Sequence, residues 1–231
     1  MEKLASKIEK ILHGVKQEDL QPPPPTIAAQ ASLQYALLGD SDEAEILRDM
    51  FARLLAASMN KRESANVHPS FVSLISQLTS DEALLLKSIV HPSYASPIIE
   101  VRVPTNRSND GSLVRVEILE AEDLSVDDIL DVNLVIRYSG SFLQERMVTS
   151  FGHGIGIDEN RMEQYLSNLQ RLGILDVSFE SHPTESEEEY LRLASRVLKE
   201  RRDKYRRIAE RGAISMTPLG KQFLESCVMP R

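Results

Sequence analysis

The apolar residues in the first part of the chain recur at helical spacing. Residues 3–15 carry them on one stripe and predict a short amphipathic helix that ends near Gly14. Residues 26–38 predict an alanine-rich helix, and residues 43–59 predict the most regular helix of the chain. In that last helix the apolar face consists of Leu47, Met50, Phe51, Leu54 and Leu55, and the opposite face carries Arg48, Asp49 and Arg53.

Residues 67–91 predict two further short helices whose apolar faces share one core, and we expect this stretch to organise the chain. The first begins near Pro69, since proline suits the first helical position. The second follows Thr79 and Glu82, which stand at the spacing of a capping box. We therefore predict a four-helix unit over residues 26–92, preceded over residues 1–25 by the amphipathic helix and a proline-rich linker. We expect that first helix to pack on its own domain rather than on a membrane or a partner.

Beyond the helical unit the pattern changes to the alternation of half-buried strands. Ile99, Val101 and Val103 alternate with polar residues, and so do Val114, Val116 and Ile118. The connection contains Asp110-Gly111, which tolerates the positive φ of a tight turn. We therefore predict a β-hairpin. Residues 125–131 predict a helical turn, and residues 132–138 predict a third strand.

The closing part of the chain predicts a helix, two strands and a final helix. Asp158 can cap a helix over residues 158–172, and Gly173 can end it. Strands at residues 175–179 and 213–216 and a helix from Thr217 complete the order of a winged-helix domain. A charged helical insertion at residues 182–212 lies where the wing would be. The predicted fold class is α+β and mainly helical, with residues 93–231 holding the hairpin and the winged-helix-like domain.

Composition and charge exclude several classes of protein. The chain has 231 residues, 42% of them hydrophobic, a formal net charge of −8 and a pI near 5.2, so it is not a generic nucleic-acid coat. Its one cysteine excludes an internal disulfide framework and a four-cysteine zinc site. No apolar run reaches the roughly 20 residues of a membrane span, and the N-terminus has no signal-peptide pattern. We expect a cytoplasmic protein.

The candidate catalytic residues do not form a recognisable pattern. The five histidines are scattered, no HExxH or GxSxG motif occurs, and the three glycines of residues 151–157 lack the spacing of a phosphate loop. His68-Pro69 and His91-Pro92 fit helix boundaries better than metal ligands. Cys227 fits a packed thiol. We therefore predict no enzyme, no cofactor and no metal, with an enzyme whose nucleophile has no sequence pattern as the least favoured alternative.

Two surfaces are candidates for contact with nucleic acid or with a partner. The first is the polar side of the 158–172 helix, which takes the place of the recognition helix in a winged-helix fold. The second is a basic helix predicted over residues 196–211. The candidate contact residues are Arg161, Gln164, Asn168, Arg171, Arg201, Arg202, Arg206 and Arg207. Acidic neighbours of the first group favour a protein-binding scaffold over a nucleic-acid reader.

Several segments together resemble one known family. A proline run, then LRDMFARLLAASMN, VHPSFVSLISQLTSDEALLLK, YLSNLQRLGILDV and ISMTPLGKQFLESC, is similar to the Abi-alpha (abortive infection alpha) family of bacterial proteins associated with phage defence. The resemblance covers roughly residues 18–92 and 157–228. It implies a biological setting in abortive infection and an architecture, and it implies no catalytic residue. In that setting we predict a non-enzymatic sensor or interaction protein that binds a protein partner or phage component. A winged-helix nucleic-acid-binding regulator is the alternative, and a homo-oligomer stays open.

Overall fold

The fold is mainly helical α+β, as the sequence predicts. The computed structural model describes residues 2–89, 95–108, 140–149, 154–179, 187–199 and 208–229. Across these ranges it has eight α-helices and four strands. The helices are α1 Glu2–Ile11, α2 Pro25–Leu37, α3 Glu45–Met59, α4 Ser70–Ser76, α5 Ser80–Lys87, α6 Met162–Arg171, α7 Glu187–Lys199 and α8 Pro218–Cys227. The strands are β1 Ser96–Ser108, β2 Gly140–Thr149, β3 Leu175–Ser178 and β4 Ile208–Met216.

Helix α3 is the element on which the others pack. It contacts α1, α2, α4, α5 and α8, so the organising role that we predicted for residues 67–91 belongs to α3. Its predicted apolar face is buried, with Leu54 fully inaccessible. The prediction that Arg48 lies on an outer face is wrong, because this side chain is only 5% exposed. Its guanidinium donates to the carbonyl oxygens of Gly39 and Ser41 and pairs with Glu45, so these oxygens replace water around the buried charge.

Helix α1 packs on α3, which confirms the prediction that it docks on its own domain. Leu4 is buried in the shared core. The ammonium of Lys7 pairs with the carboxylates of Glu45 and Asp49 on α3. Burial alone would lower the pKa of Lys7, but its hydrogen bonds to Asp49 and Glu45 raise it overall. The same contact, first through Lys7 and then through Arg48, lowers the pKa of Glu45. Both partners therefore stay charged near neutral pH.

The start of α5 is capped as the sequence predicts. The hydroxyl of Thr79 accepts from the backbone N–H of Glu82 at 3.2 Å, and the Glu82 carboxylate accepts from the backbone N–H of Thr79 at 2.7 Å. These two bonds satisfy donors that the first turn of a helix would otherwise leave open. Helix α4 begins one residue after the predicted Pro69.

The four strands form one antiparallel sheet in the order β2-β1-β4-β3. The predicted hairpin is wrong in two respects. Strand β1 continues through the predicted turn as far as Ser108, and from Ile98 to Arg102 both of its edges are occupied, by β2 and β4. The predicted strand at residues 114–118 and the elements predicted at residues 125–131 and 132–138 lie outside the described residues.

The helical part of the insertion between β3 and β4 ends earlier than predicted. Helix α7 is followed by β4, which begins at Ile208, so the predicted basic helix does not reach Arg211. At this end residues 208–211 pair with β1, and these strand hydrogen bonds satisfy the backbone groups in place of helical ones; pairing with β3 begins only at Ala213. Helix α7 packs against β1 rather than projecting. Its Tyr190 is fully buried, and the Tyr190 hydroxyl donates to the carbonyl oxygen of Gly212 at 2.6 Å.

Helix α8 is fixed at its start by hydrogen bonds and further along by packing in the core. Gly173 ends α6 with a φ of +70°, as predicted, and its carbonyl oxygen accepts from the hydroxyl of Thr217, which caps α8. A Cβ at Gly220 would lie 2.0 Å from the carbonyl oxygen of Ile174, so only glycine allows this close approach. Further along, the ring of Phe223 meets that of Phe71 edge-on, with centroids 5.4 Å apart. One apolar core therefore joins residues from Leu4 to Val228.

Replacing Leu54 by Glu should unfold the protein at moderate denaturant, because the change removes core packing and buries a carboxylate. We expect a loss of about 3 kcal/mol or more in the free energy of unfolding. Leu33→Glu makes the same chemical change at a side chain that is 59% exposed, and should cost less than about 1 kcal/mol. Urea titration followed by circular dichroism measures both. Equal midpoints for the two variants would contradict the burial assigned to α3.

Candidate functional site

The polar side of α6 is turned towards the start of α5. The side-chain amide of Asn168 donates to the Glu82 carboxylate at 2.9 Å and to the carbonyl oxygen of Gln77 at 3.2 Å. Arg171 donates to Asn168 at 2.7 Å and to the side-chain oxygen of Gln77 at 3.2 Å. Two of the four candidate residues are thus engaged with residues 77–82.

A tyrosine beside these contacts joins the same two helices. The hydroxyl of Tyr165 donates to the carboxylate of Asp81 at 2.5 Å, and its ring is 1% exposed. Burial, followed by the bond to Asp81, raises the pKa of Tyr165 to about 12. The guanidinium of Arg161 lies 5.4 Å from the centre of this ring and donates to Gln164 at 3.0 Å. We call the contact of Tyr165, Asn168 and Arg171 with Gln77, Asp81 and Glu82 the α5–α6 seam.

The charges of the seam oppose the approach of a polyanion. Asp81 and Glu82 place two carboxylates in the first turn of α5, beside Asn168 and Arg171. A phosphate at Arg171 would compete with Gln77 and Asn168 for the guanidinium and would face these carboxylates. Glu82 is only 3% exposed, so its charge needs the donors of Thr79 and Asn168. The seam is a polar joint between two parts of the protein, buried at Glu82 and Tyr165 and exposed at Gln77 and Arg171.

The predicted contact residues are brought together only in part. Gln164, Asn168 and Arg171 lie on one side of α6, and Arg161 stands just before its start; Arg161, Gln164 and Arg171 are exposed, and Asn168 is half-buried. Arg201, Arg202, Arg206 and Arg207 lie outside the described residues, and their role stays a prediction. Sequence reasoning missed Gln77 and Asp81 as partners of α6. No local pattern identifies them, since the Asp81–Tyr165 and Gln77–Arg171 contacts span 84 and 94 residues.

The other candidate side chains have structural roles where they are described. The Nδ1 atom of His68 accepts from the backbone N–H of Ser70 at 3.2 Å, so this histidine caps α4, while His91 lies outside the described residues. In the glycine loop the amide of Gly154 faces the Glu159 carboxylate at 3.4 Å, and this carboxylate would repel a phosphate.

The buried thiol and the acidic side chains provide no reactive or metal-binding group in the described ranges. Cys227 is fully buried, and burial raises the pKa of its thiol well above the ordinary value. A protonated thiol is a poor nucleophile. Within the described part of the chain, no group of three or more His, Cys, Asp or Glu side chains could hold a metal ion.

The fold and the seam define a mainly helical α+β protein whose helical and sheet-bearing parts are joined by polar contacts. The family model described as abortive infection alpha matches residues 1–227. The chain therefore belongs to the abortive infection alpha family. No curated protein and no solved structure matches it. Among the helices that the structure describes, none has the length and apolar character needed to cross a membrane.

Replacing Asn168 by Leu should destabilise the protein, because one oxygen of the buried Glu82 carboxylate loses its donor. We expect a loss of about 1–3 kcal/mol in the free energy of unfolding. Gln170→Leu is the matched control on the same helix, since Gln170 is exposed. Urea titration at neutral pH compares the two variants. If Asn168→Leu proved as stable as Gln170→Leu, the seam would contribute nothing to stability.

The seam also predicts how stability changes at alkaline pH. The pKa of Tyr165 is about 12 in the folded protein against an ordinary 10.0, so the folded state keeps this proton longer than the unfolded chain. The contribution of this group is fully present below pH 10 and is lost as the pH rises from about 10 to 12. Tyr165→Phe should remove this part of the decline. Urea midpoints at pH 9 and pH 11 for both proteins test it, and equal declines would contradict the raised pKa.

Proposed function

We propose that this chain is a non-enzymatic interaction or sensor protein of bacterial abortive-infection defence against phage. Membership of the abortive infection alpha family supports the biological setting. The observation that carries the molecular part of the proposal is the α5–α6 seam, in which Asn168 binds Glu82 of α5 and Arg171 binds Gln77, just before α5. A helix that holds its own protein together has fewer groups left for reading a base sequence.

The closing part of the chain serves as a winged-helix-like scaffold in this proposal. The order of α6, β3, β4 and α8, with α7 inserted between the strands, supports this assignment. Strand β4 pairs with β3 and also with β1, so the place of a free wing is taken up in the larger sheet. A wing engaged in this way favours a scaffold over a reader of nucleic acid.

The exposed face of α2 provides the contact surface for a protein partner. Leu33 and Leu37, one helical turn apart, are 59% and 70% exposed. Helix α2 contains no charged residue, so nothing on it attracts a phosphate backbone or repels an apolar surface. Exposed apolar side chains that stand together on an uncharged face are typical of protein-binding surfaces. The proposed partner is a protein that presents an apolar face of similar size.

A nucleic-acid-binding regulator is the competing function. The sequence between α7 and β4 contains Arg201, Arg202, Arg206 and Arg207, a density of cations that suits phosphate contacts. A protein that binds through them would show affinity that falls steeply with salt, because each neutralised phosphate releases counterions. This dependence separates the two functions.

A plating assay with a panel of phages tests the proposal in bacteria that express the protein. We expect protection to be lost in the double variant Leu33→Glu/Leu37→Glu and kept when Arg201, Arg202, Arg206 and Arg207 are all replaced by Ala. Thr26→Glu adds a carboxylate to the exposed first turn of the same helix and serves as the matched control. Thermal melts confirm that each variant is folded.

Titration of the purified protein with random duplex and single-stranded DNA, at low and moderate salt, completes this test. We expect no tight binding at either salt concentration. Tight, steeply salt-dependent binding that is lost in the four-arginine variant, together with protection that depends on the same arginines, would replace the proposed function by the regulator.

A further inference from the structure

A cleft separate from the seam opens between α1, α3 and α8. It has a volume of about 530 Å³, within the range of small-molecule sites. Its floor is made of small side chains, Ala56 and Ala57 of α3 and Ser226 of α8, all of them buried.

One half-buried cation lines this cleft. Among the described residues Arg53 makes a single weak hydrogen bond, from Nη1 to the carbonyl oxygen of Met229 at 3.4 Å. Within the described part of the chain, Arg53 takes part in no ion pair. By contrast, Arg48 on the same helix is satisfied by Glu45 and two carbonyl oxygens. A guanidinium has five N–H donors, so Arg53 retains the capacity to bind an anion with two of them.

The remaining walls decide what kind of anion fits. Ile11, Leu12, Val15 and Met229 provide apolar surface beside Arg53. Lys10, His13 and Glu225 also line the cleft, and all three are exposed. Glu63 also lines the cleft, and its carboxylate accepts from Asn60 at 3.0 Å. Two carboxylates near one arginine disfavour a compact dianion such as phosphate, whereas a single carboxylate with an apolar body suits both Arg53 and the walls.

We infer that this cleft is a binding site for a small apolar carboxylate, a ligand of the fatty-acid type, with Arg53 holding the carboxylate. The floor of Ala56, Ala57 and Ser226 accommodates the end of the apolar body. The site lies where α1, α3 and α8 meet, so its occupant touches the first helix, the central helix and the last helix of the fold. It is independent of the surface proposed for the protein partner on α2.

Competition with a fluorescent probe tests this inference on the full chain. The probe is 1-anilinonaphthalene-8-sulfonate, an apolar monoanion, and the competitors are decanoate, decanol and inorganic phosphate at equal concentrations. We expect decanoate to displace the probe and decanol and phosphate to do so at least about tenfold less well, because the carboxylate–guanidinium bond is charge-assisted. Equal displacement by decanol and decanoate would overturn the role of Arg53.

Variants separate ligand binding from a purely structural role of this arginine at the end of α8. Arg53→Gln should weaken decanoate at least about tenfold, and Arg53→Lys should restore part of the affinity because it keeps the charge. Arg62→Gln, which changes an exposed arginine paired with Asp19, is the matched control. A drop in melting temperature for Arg53→Gln with unchanged decanoate affinity would show that Arg53 only caps α8 and would overturn the inference.

A further variant tests whether the probe binds elsewhere on the protein. Leu33→Glu/Leu37→Glu removes the exposed apolar face of α2, and the fluorescence that decanoate displaces should not change in it. Loss of that signal in this variant would place the probe on α2 and overturn the assignment to the cleft. Because the cleft and α2 are changed by different variants, failure of this inference leaves the proposed function standing.

Discussion

The buried carboxylate of Glu82 is the interaction on which the assembly of this protein depends. It is 3% exposed, and its two oxygens accept from the backbone of Thr79 and from the side chain of Asn168. A carboxylate in such a place is tolerated only while its donors remain, so the start of α5 and the side of α6 are fixed together. Helix α6 leads through Gly173 into β3, and the position of the sheet follows from this joint.

Charged groups around α3 also have partners inside the protein, but here the charged groups are cations. Lys7 and Arg48 bring cations to this helix, and carboxylates or carbonyl oxygens surround each of them. These contacts connect α1 and the loop after α2 to the central helix. Arg53 departs from the rule, since within the described ranges its one hydrogen bond is the weak one to the carbonyl oxygen of Met229. Lys7 and Arg48 thus hold neighbouring segments to α3, whereas Arg53 keeps N–H donors that can bind an anion.

Local physical rules predict most of the helices and little of the sheet. The capping box at Thr79 and the left-handed stop at Gly173 are read from adjacent residues, and both occur as predicted. The buried face of α3 also follows the predicted pattern, with one exception. Arg48 is an interior residue, because two carbonyl oxygens of the preceding loop accept hydrogen bonds from its guanidinium. That exception depends on a loop folding back, which helical periodicity does not describe.

The sheet and the seam escape sequence reasoning for a different reason. A strand pattern indicates which residues alternate but not which distant strand will be the neighbour, so β1 was assigned the nearest candidate instead of β2 and β4. The side chains of α6 were recognised as a polar surface, but no sequence pattern identifies Gln77 and Asp81 as the residues that contact it. Contacts between residues far apart in sequence arise only when the whole core has formed.

The pairing of β1 with β4 has a consequence for the order in which the protein forms during synthesis. Helices α1 to α5 are adjacent in sequence and can collapse on α3 soon after they are made. Strand β1 must then wait with an unpaired edge until β4, far downstream, has left the ribosome. Helix α8, which packs its Phe223 on Phe71, completes the core later still. A nascent chain stopped between β1 and β4 would thus expose both a strand edge and an unfinished core, and would be a natural substrate for chaperones.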